Sequence, residues 1–287
     1  MGAYEVSLLT LICINVMLAL SLNTITGFCG QISLGHAAFY GIGAYAAALL
    51  GKAGLPFFAA LAAGGLLAGF AGVVVGFASL RVREDFLAIT TMGIGFLFLG
   101  VVRQQEALGG ELGISQVPGS GLGKVEFLVL VAVVTAAVGA LSLHLKRSWM
   151  GFAFAAVADD EDTALTLGID VARYKLLAFA IGTAIAGVAG GFYVQYAALI
   201  TPDDFGFTVS VTILAMVVVG GIGSTAGVLT AAAVLTMLPL QFKFIDDYKL
   251  LLYGGLVFLT MRFSPDGLAG IVRVLKLRFG RPRERAA

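Results

Sequence analysis

Asn23, Gln31, Ser33 and His36 lie close together in the otherwise apolar stretch "NTITGFCGQISLGHAAFYGIGAYAAALL", residues 23–50, which Gly27, Gly30 and Gly35 interrupt. Their side chains donate and accept hydrogen bonds, and the first three carry no charge. A second group, Gly220, Gly221, Gly223, Ser224 and Thr225, sits in "VVVGGIGSTAGVL", residues 217–229. Glycine-broken helices turn free backbone N–H and C=O groups toward a cavity, as in transporters. Neutral dipoles and open backbone can solvate a polar group but are not equipped to break a bond. The same glycines have a second reading, since small residues let helices pack closely. His36 likewise reads as a substrate contact or as a hydrogen-bonded interface residue.

Other chemistries find no footing. There is no Ser/His or His/acid constellation, and no Cys/His cluster with metal spacing. No metal or cofactor is therefore expected. Cys13 and Cys29 both fall in apolar runs, where a buried thiol is the expected state rather than a disulfide. The phosphate-loop pattern G-x-x-x-x-G-K-[ST] is missing, so the chain is not expected to hydrolyse ATP by itself. "GVAGG", residues 187–191, follows no strand and reads as a small-residue face for a neighbouring helix.

The elements that must position these residues are set by composition. The 287 residues are 59% hydrophobic and 12% charged, against about 25% charged in soluble domains. Apolar runs at 5–22, 27–50, 56–79, 86–102, 126–145, 176–198, 208–240 and 249–261 are continuous rather than alternating. They read as helices of about 17–25 residues, not barrel strands. Run 208–240 is too long for one span and breaks at 220–227. The expected fold is an all-α, polytopic transmembrane helical bundle with eight to ten membrane segments, some broken or re-entrant. The N-terminus lacks a basic flank and a small-x-small cleavage site, so it reads as a retained span.

Basic residues orient the bundle, because they favour cytoplasmic loops. Arg81, Arg83, the 146–175 loop and the tail after Met261 place thirteen of the 18 Lys and Arg on one side. Residues 1–262 therefore read as a transmembrane domain with a cytoplasmic loop at about 146–175, and 263–287 as a basic cytoplasmic tail. The tail either lies on anionic headgroups or is solvated. If 27–50 crosses once, the N-terminus lies outside; if it is broken or re-entrant, the side flips.

The loop contains "ADDEDTALTLG" (158–168), which reads as a short helix. Asp159 or Asp160 can cap it, and Glu161 and Asp162 sit in its first turn, where the dipole favours acids. Ala164, Leu165 and Leu167 give a small apolar face, and Gly168 stands where a C′ glycine ends a helix. Either this helix is incidental or it docks a cytoplasmic partner.

Three blocks carry a family resemblance. "GFCGQISLGHAAFYGIGAYAAALL" (27–50) resembles the N-terminal signature of ABC-transporter permeases for branched-chain amino acids. "AAVADDEDTALTLGIDVARYKLLAFAIGTAIAGVAGGFY" (155–193) is similar to that family's cytoplasmic loop, and "VVVGGIGSTAGVLTAAAVL" (217–235) to its glycine-rich block. "ITPDDF" (200–205) matches the short outer loop between them. The blocks come in family order, and the M-type subunit is the likeness. One departure is visible: four acids follow Ala158, where the family has a basic residue and then a mixed run.

The resemblance implies a non-enzymatic permease subunit of a prokaryotic inner membrane. Its partners would be a second, H-type permease, two cytoplasmic ATP-binding subunits and an extracytoplasmic substrate-binding protein, in a lipid bilayer and with no nucleic acid. The helix carrying Asp159, Glu161, Ala164 and Gly168 would couple to the ATPase. Asn23, Gly30, Gln31, Ser33, His36, Gly221, Gly223 and Ser224 would line the path or break its helices. Alternatives are an importer of the same family for urea, amides or other amino acids, and a secondary transporter. The second lacks intramembrane carboxylates for ion coupling.

Overall fold

The computed structural model describes residues 2–80, 84–241, 248–264, 267, 268 and 270. Arg81 and Arg83 lie outside the described residues, as does the basic tail apart from its first few positions. The helices are α1 (Ala3–Leu22), α2 (His36–Lys52), α3 (Phe57–Ser79), α4 (Glu84–Gln104) and α5 (Lys124–Arg147), then the short α6 (Trp149–Asp159) and α7 (Glu161–Thr166). They continue with α8 (Val171–Ala197), α9 (Phe207–Gly220), α10 (Thr225–Gln241) and α11 (Lys249–Phe263). A two-residue antiparallel pair, β1 (Ile114–Ser115) and β2 (Leu199–Ile200), sits at one end.

Six helical segments among the described residues are long and apolar enough to cross a membrane. Among the described residues, α2, α10 and α11 are further apolar helices of 17, 17 and 15 residues, and α6 is a shorter one of 11. The expected long run 208–240 is two helices, α9 and α10, separated at 221–224. Run 27–50 is likewise broken, because the chain leaves helix after Phe28 and re-enters it at His36.

α8 is the hub, packed against α1, α2 and α3. Glycine makes this possible. A Cβ on Gly43 of α2 would lie 2.2 Å from the Gly187 Cα, and one on Gly187 would lie 2.5 Å from the Ala68 Cβ of α3. The "GVAGG" face is thus a seam at which three backbones meet.

The bundle has two distinct ends. At one, Gln195 of α8 donates to the Pro118 carbonyl (2.9 Å) and accepts from the Ser120 N–H (3.0 Å). There Arg103 pairs with Asp203 at 2.6 Å, and Asp204 caps the 3₁₀ turn Pro202–Phe205 through Thr201. A ring cluster of Tyr40, Tyr45, Phe98, Tyr193 and Phe205 underlies this strap. The other end holds both helix breaks and the α5–α8 loop.

Candidate translocation and coupling site

The first break begins as a change of helical pitch. α1 widens into a π-helical segment, Asn23–Phe28, an element that occurs mostly as short bulges and often at functional sites. Gly30 then takes φ +73°, a left-handed conformation that favours glycine. The turn closes with the Gln31 N–H donating to the Ile25 carbonyl (3.2 Å) and the Thr26 hydroxyl to the Gln31 carbonyl (3.0 Å). Two other helices satisfy the restart. The Leu34 N–H donates to Thr91 Oγ1 of α4, and the Ala37 N–H to Ser210 Oγ of α9, both at 3.0 Å.

His36 begins α2 fully buried, with Nε2 2.6 Å from Ser21 Oγ. That bond supports the interface role for His36. Yet Asn23 Nδ2, Gln31 Nε2, Ser33 Oγ and His36 Nδ1 are buried without a hydrogen-bond partner among the described residues. A buried polar group left unpaired costs about 1–3 kcal/mol. Four such atoms on one break form a buried polar cluster that packing alone does not account for.

The second break runs through Gly221 (φ +101°) and Gly223 (φ +76°), both in conformations that favour glycine. The Ser224 N–H closes a turn on the Gly221 carbonyl (2.9 Å). Ser224 Oγ then accepts the Gly227 N–H at 3.2 Å, which starts α10.

The two breaks are joined. The Gly223 N–H donates to Asn23 Oδ1 at 2.9 Å, and the Gly223 carbonyl accepts from Lys146 Nζ at 2.6 Å. Ser142 Oγ and Thr225 Oγ1 lie 3.0 Å apart. Gly27 faces the same peptide, since a Cβ there would lie 2.6 Å from the Gly223 nitrogen. Asn23→Ala removes the acceptor for the Gly223 N–H, and a loss of about 1–2 kcal/mol is expected. A Tm that did not fall in thermal unfolding of the purified chain would mean this bond carries no load.

The loop completes the site. A Cβ on Gly30 would lie 3.1 Å from both Cα and Cβ of Ala158, in α6. Phe28 and Cys29 share an apolar cluster with Phe154, Val157, Ala164 and Val171. α7 is the short capped helix expected from the acid run. Its cap is Asp160, whose Oδ1 accepts the Thr163 N–H at 2.6 Å. That bond holds the Asp160 carboxyl below the usual range. The cap is therefore in place above the ordinary carboxylate pKa and is lost as acid protonates the lowered group.

Asp159 ends α6 and is exposed. Gly168 (φ +81°) is the C′ residue: its N–H donates to the Leu165 carbonyl, and the Ile169 N–H to that of Ala164, each at 3.0 Å. Of the expected apolar face, Ala164 is buried, whereas Leu165 and Leu167 point outward at 56% and 72% exposure. Glu161 pairs with Lys175 of α8.

Sequence reading missed Ser21, Thr91, Ser142, Lys146, Lys175 and Ser210 as parts of this site. Lys146 and Lys175 read only as topological charges. The signal available was spacing: Ser142 and Lys146 stand four residues apart, on one face of α5.

The chain is thus a polytopic, helical membrane protein with two joined helix breaks and a loop docked on one of them. The family profile "Branched-chain amino acid transport system / permease component" matches residues 5–261. The chain belongs to that family. It is 35% identical over 311 residues to the high-affinity branched-chain amino acid transport system permease protein LivM of Escherichia coli K12, covering 97% of this chain and 73% of the relative. It is 28% identical to BraD of Pseudomonas aeruginosa, also named a high-affinity branched-chain amino acid permease, over 91% and 93% of the two chains. LivH of Salmonella typhimurium matches at 32% over 52% of this chain and 49% of its own. No solved structure matches.

Proposed function

We propose that the chain is the M-type permease subunit of an ATP-driven importer, moving branched-chain amino acids across a prokaryotic inner membrane. A second permease homologous to LivH completes the path. Two cytoplasmic ATP-binding subunits drive it, and an extracytoplasmic binding protein delivers the solute. Residues 1–262 are the permease domain. The α5–α8 loop and the C-terminus face the cytoplasm; the N-terminus faces outward despite the break in 27–50, because α2 still runs on from that break to the strap, where Gly51 lies near Val117 and Pro118.

The observation that carries this reading is the contact of Gly30 with Ala158. It puts the loop that would meet the ATPase directly on the helix break that would line the path. Asp159, Glu161, Ala164 and Gly168 then form the coupling element, with Leu165 and Leu167 as its outward contacts. Asn23, Gln31, Ser33 and His36 line the passage, while Gly221, Gly223 and Ser224 form the opposing break.

The test is reconstitution of the five-subunit importer in liposomes, followed by labelled leucine uptake. Uptake should require both ATP and the binding protein. Uptake by this chain alone, driven by a sodium or proton gradient, would overturn the reading.

Coupling also needs α7 to be held to α8, and the Glu161–Lys175 pair does this. Lys175→Met is expected to loosen α7 by about 2 kcal/mol, less than a fully buried pair would lose because Glu161 keeps 29% exposure. Amide hydrogen exchange over 161–168 should then quicken by roughly thirtyfold. An unchanged exchange rate would remove the pair from the coupling path.

A further inference from the structure

We propose that the corner between α5, α6 and α10 is a binding site for the phosphate of an anionic phospholipid. An open cavity of about 540 Å³ lies there, lined by Leu143, Lys146, Arg147, Phe152, Ser224, Thr225 and Ala226. Its polar wall carries two cations and no acid. Lys146 spends one ammonium hydrogen on the Gly223 carbonyl and keeps two.

The start of α10 adds to the positive wall. Ser224 Oγ takes the Gly227 N–H, while Thr225 and Ala226, whose N–H groups belong to the helix's open first turn, line the cavity. Helix N-termini with open N–H groups favour phosphate, and here they stand beside two basic side chains.

The lining also has an apolar part, with Leu143 44% and Phe152 66% exposed. A free anion would have no use for that part, but a phospholipid fits both. The depth is also right. The cavity lies where α5, a membrane-length helix, ends at Arg147. Trp149, 81% exposed on the same helix face as Phe152, is the residue type that collects at headgroup level. Basic pockets between helix ends are known acceptors of anionic headgroups.

This inference does not depend on the transported solute. The assay is native mass spectrometry of the purified full chain from mixed phosphatidylglycerol/phosphatidylcholine nanodiscs, together with Tm shifts on adding each lipid. Wild type should retain phosphatidylglycerol preferentially. Arg147→Gln, an exposed position outside the coupling and path residues, should weaken that preference about fivefold, and Arg147→Lys should keep most of it. Equal retention of the two lipids, or an unchanged preference in Arg147→Gln, would overturn the proposal. A Tm rise from inorganic phosphate equal to that from phosphatidylglycerol would do the same, as it would assign the site to a free anion. Protection of Arg147→Cys from thiol labelling by the ATP-binding subunits in lipid-free detergent would give the corner to a protein partner and also refute it.

Discussion

Gly30→Ala is expected to uncouple the importer, with leucine uptake down at least tenfold while ATP hydrolysis continues. Two effects add at this position. The backbone sits at φ +73°, which costs a residue with a Cβ roughly 1–2 kcal/mol. The new methyl would also press on Ala158 at 3.1 Å from Cα and Cβ, pushing α6 away from the break. The measurement is the ratio of ATP hydrolysed to leucine taken up, which should rise. A double variant separates the causes: Ala158→Gly removes the facing methyl and should restore part of the coupling, leaving the backbone strain. If Gly30→Ala keeps the wild-type ratio, the loop and the break do not communicate through this contact.

Gly187→Leu is expected to prevent folding altogether. The position is walled by α3, with a Cβ there 2.5 Å from the Ala68 Cβ, 2.8 Å from the Gly64 carbonyl and 3.1 Å from the Gly65 Cα. Overpacking by a few methylenes costs about 1–3 kcal/mol where neighbours can yield, and two of these three neighbours are backbone. No monodisperse protein should be recovered by size-exclusion chromatography in mild detergent. Gly139→Leu is the control, because nothing lies within 4 Å of a Cβ there. Equal yields of the two variants would show that the α2–α3–α8 seam tolerates separation.

Much of this arrangement is legible in the sequence. The apolar runs identify the helices, since a lipid-crossing chain must satisfy its backbone within each segment. The break in 208–240 is legible because four glycines and a serine crowd into 220–227. The loop helix is legible from its cap, acids and terminal glycine, down to the role of Gly168. What the sequence hides is pairing across distance. Nothing near Asn23 announces that its amide meets Gly223, or that Lys146 closes the same peptide from the other side. Lys175 shows the limit most plainly. In sequence it is a surface charge, whereas in the fold it is 5% exposed and paired with Glu161. Hydropathy sorts residues by transfer energy and carries no record of which polar groups find each other.

The helices also differ in length, with a mechanical consequence for the membrane. α8, at the centre, has 27 residues, or about 40 Å, while α2 and α10, which both start at the breaks, have 17, or about 25 Å. A hydrocarbon core is about 30 Å thick. Where a helix of about 25 Å faces lipid, the bilayer compresses to meet it, at a cost of fractions of a kcal/mol per ångström. Any transition that straightens a break and lengthens its helix relieves that compression. Acyl-chain length thus enters the conformational equilibrium of the permease as a load, with thicker bilayers favouring the straighter state.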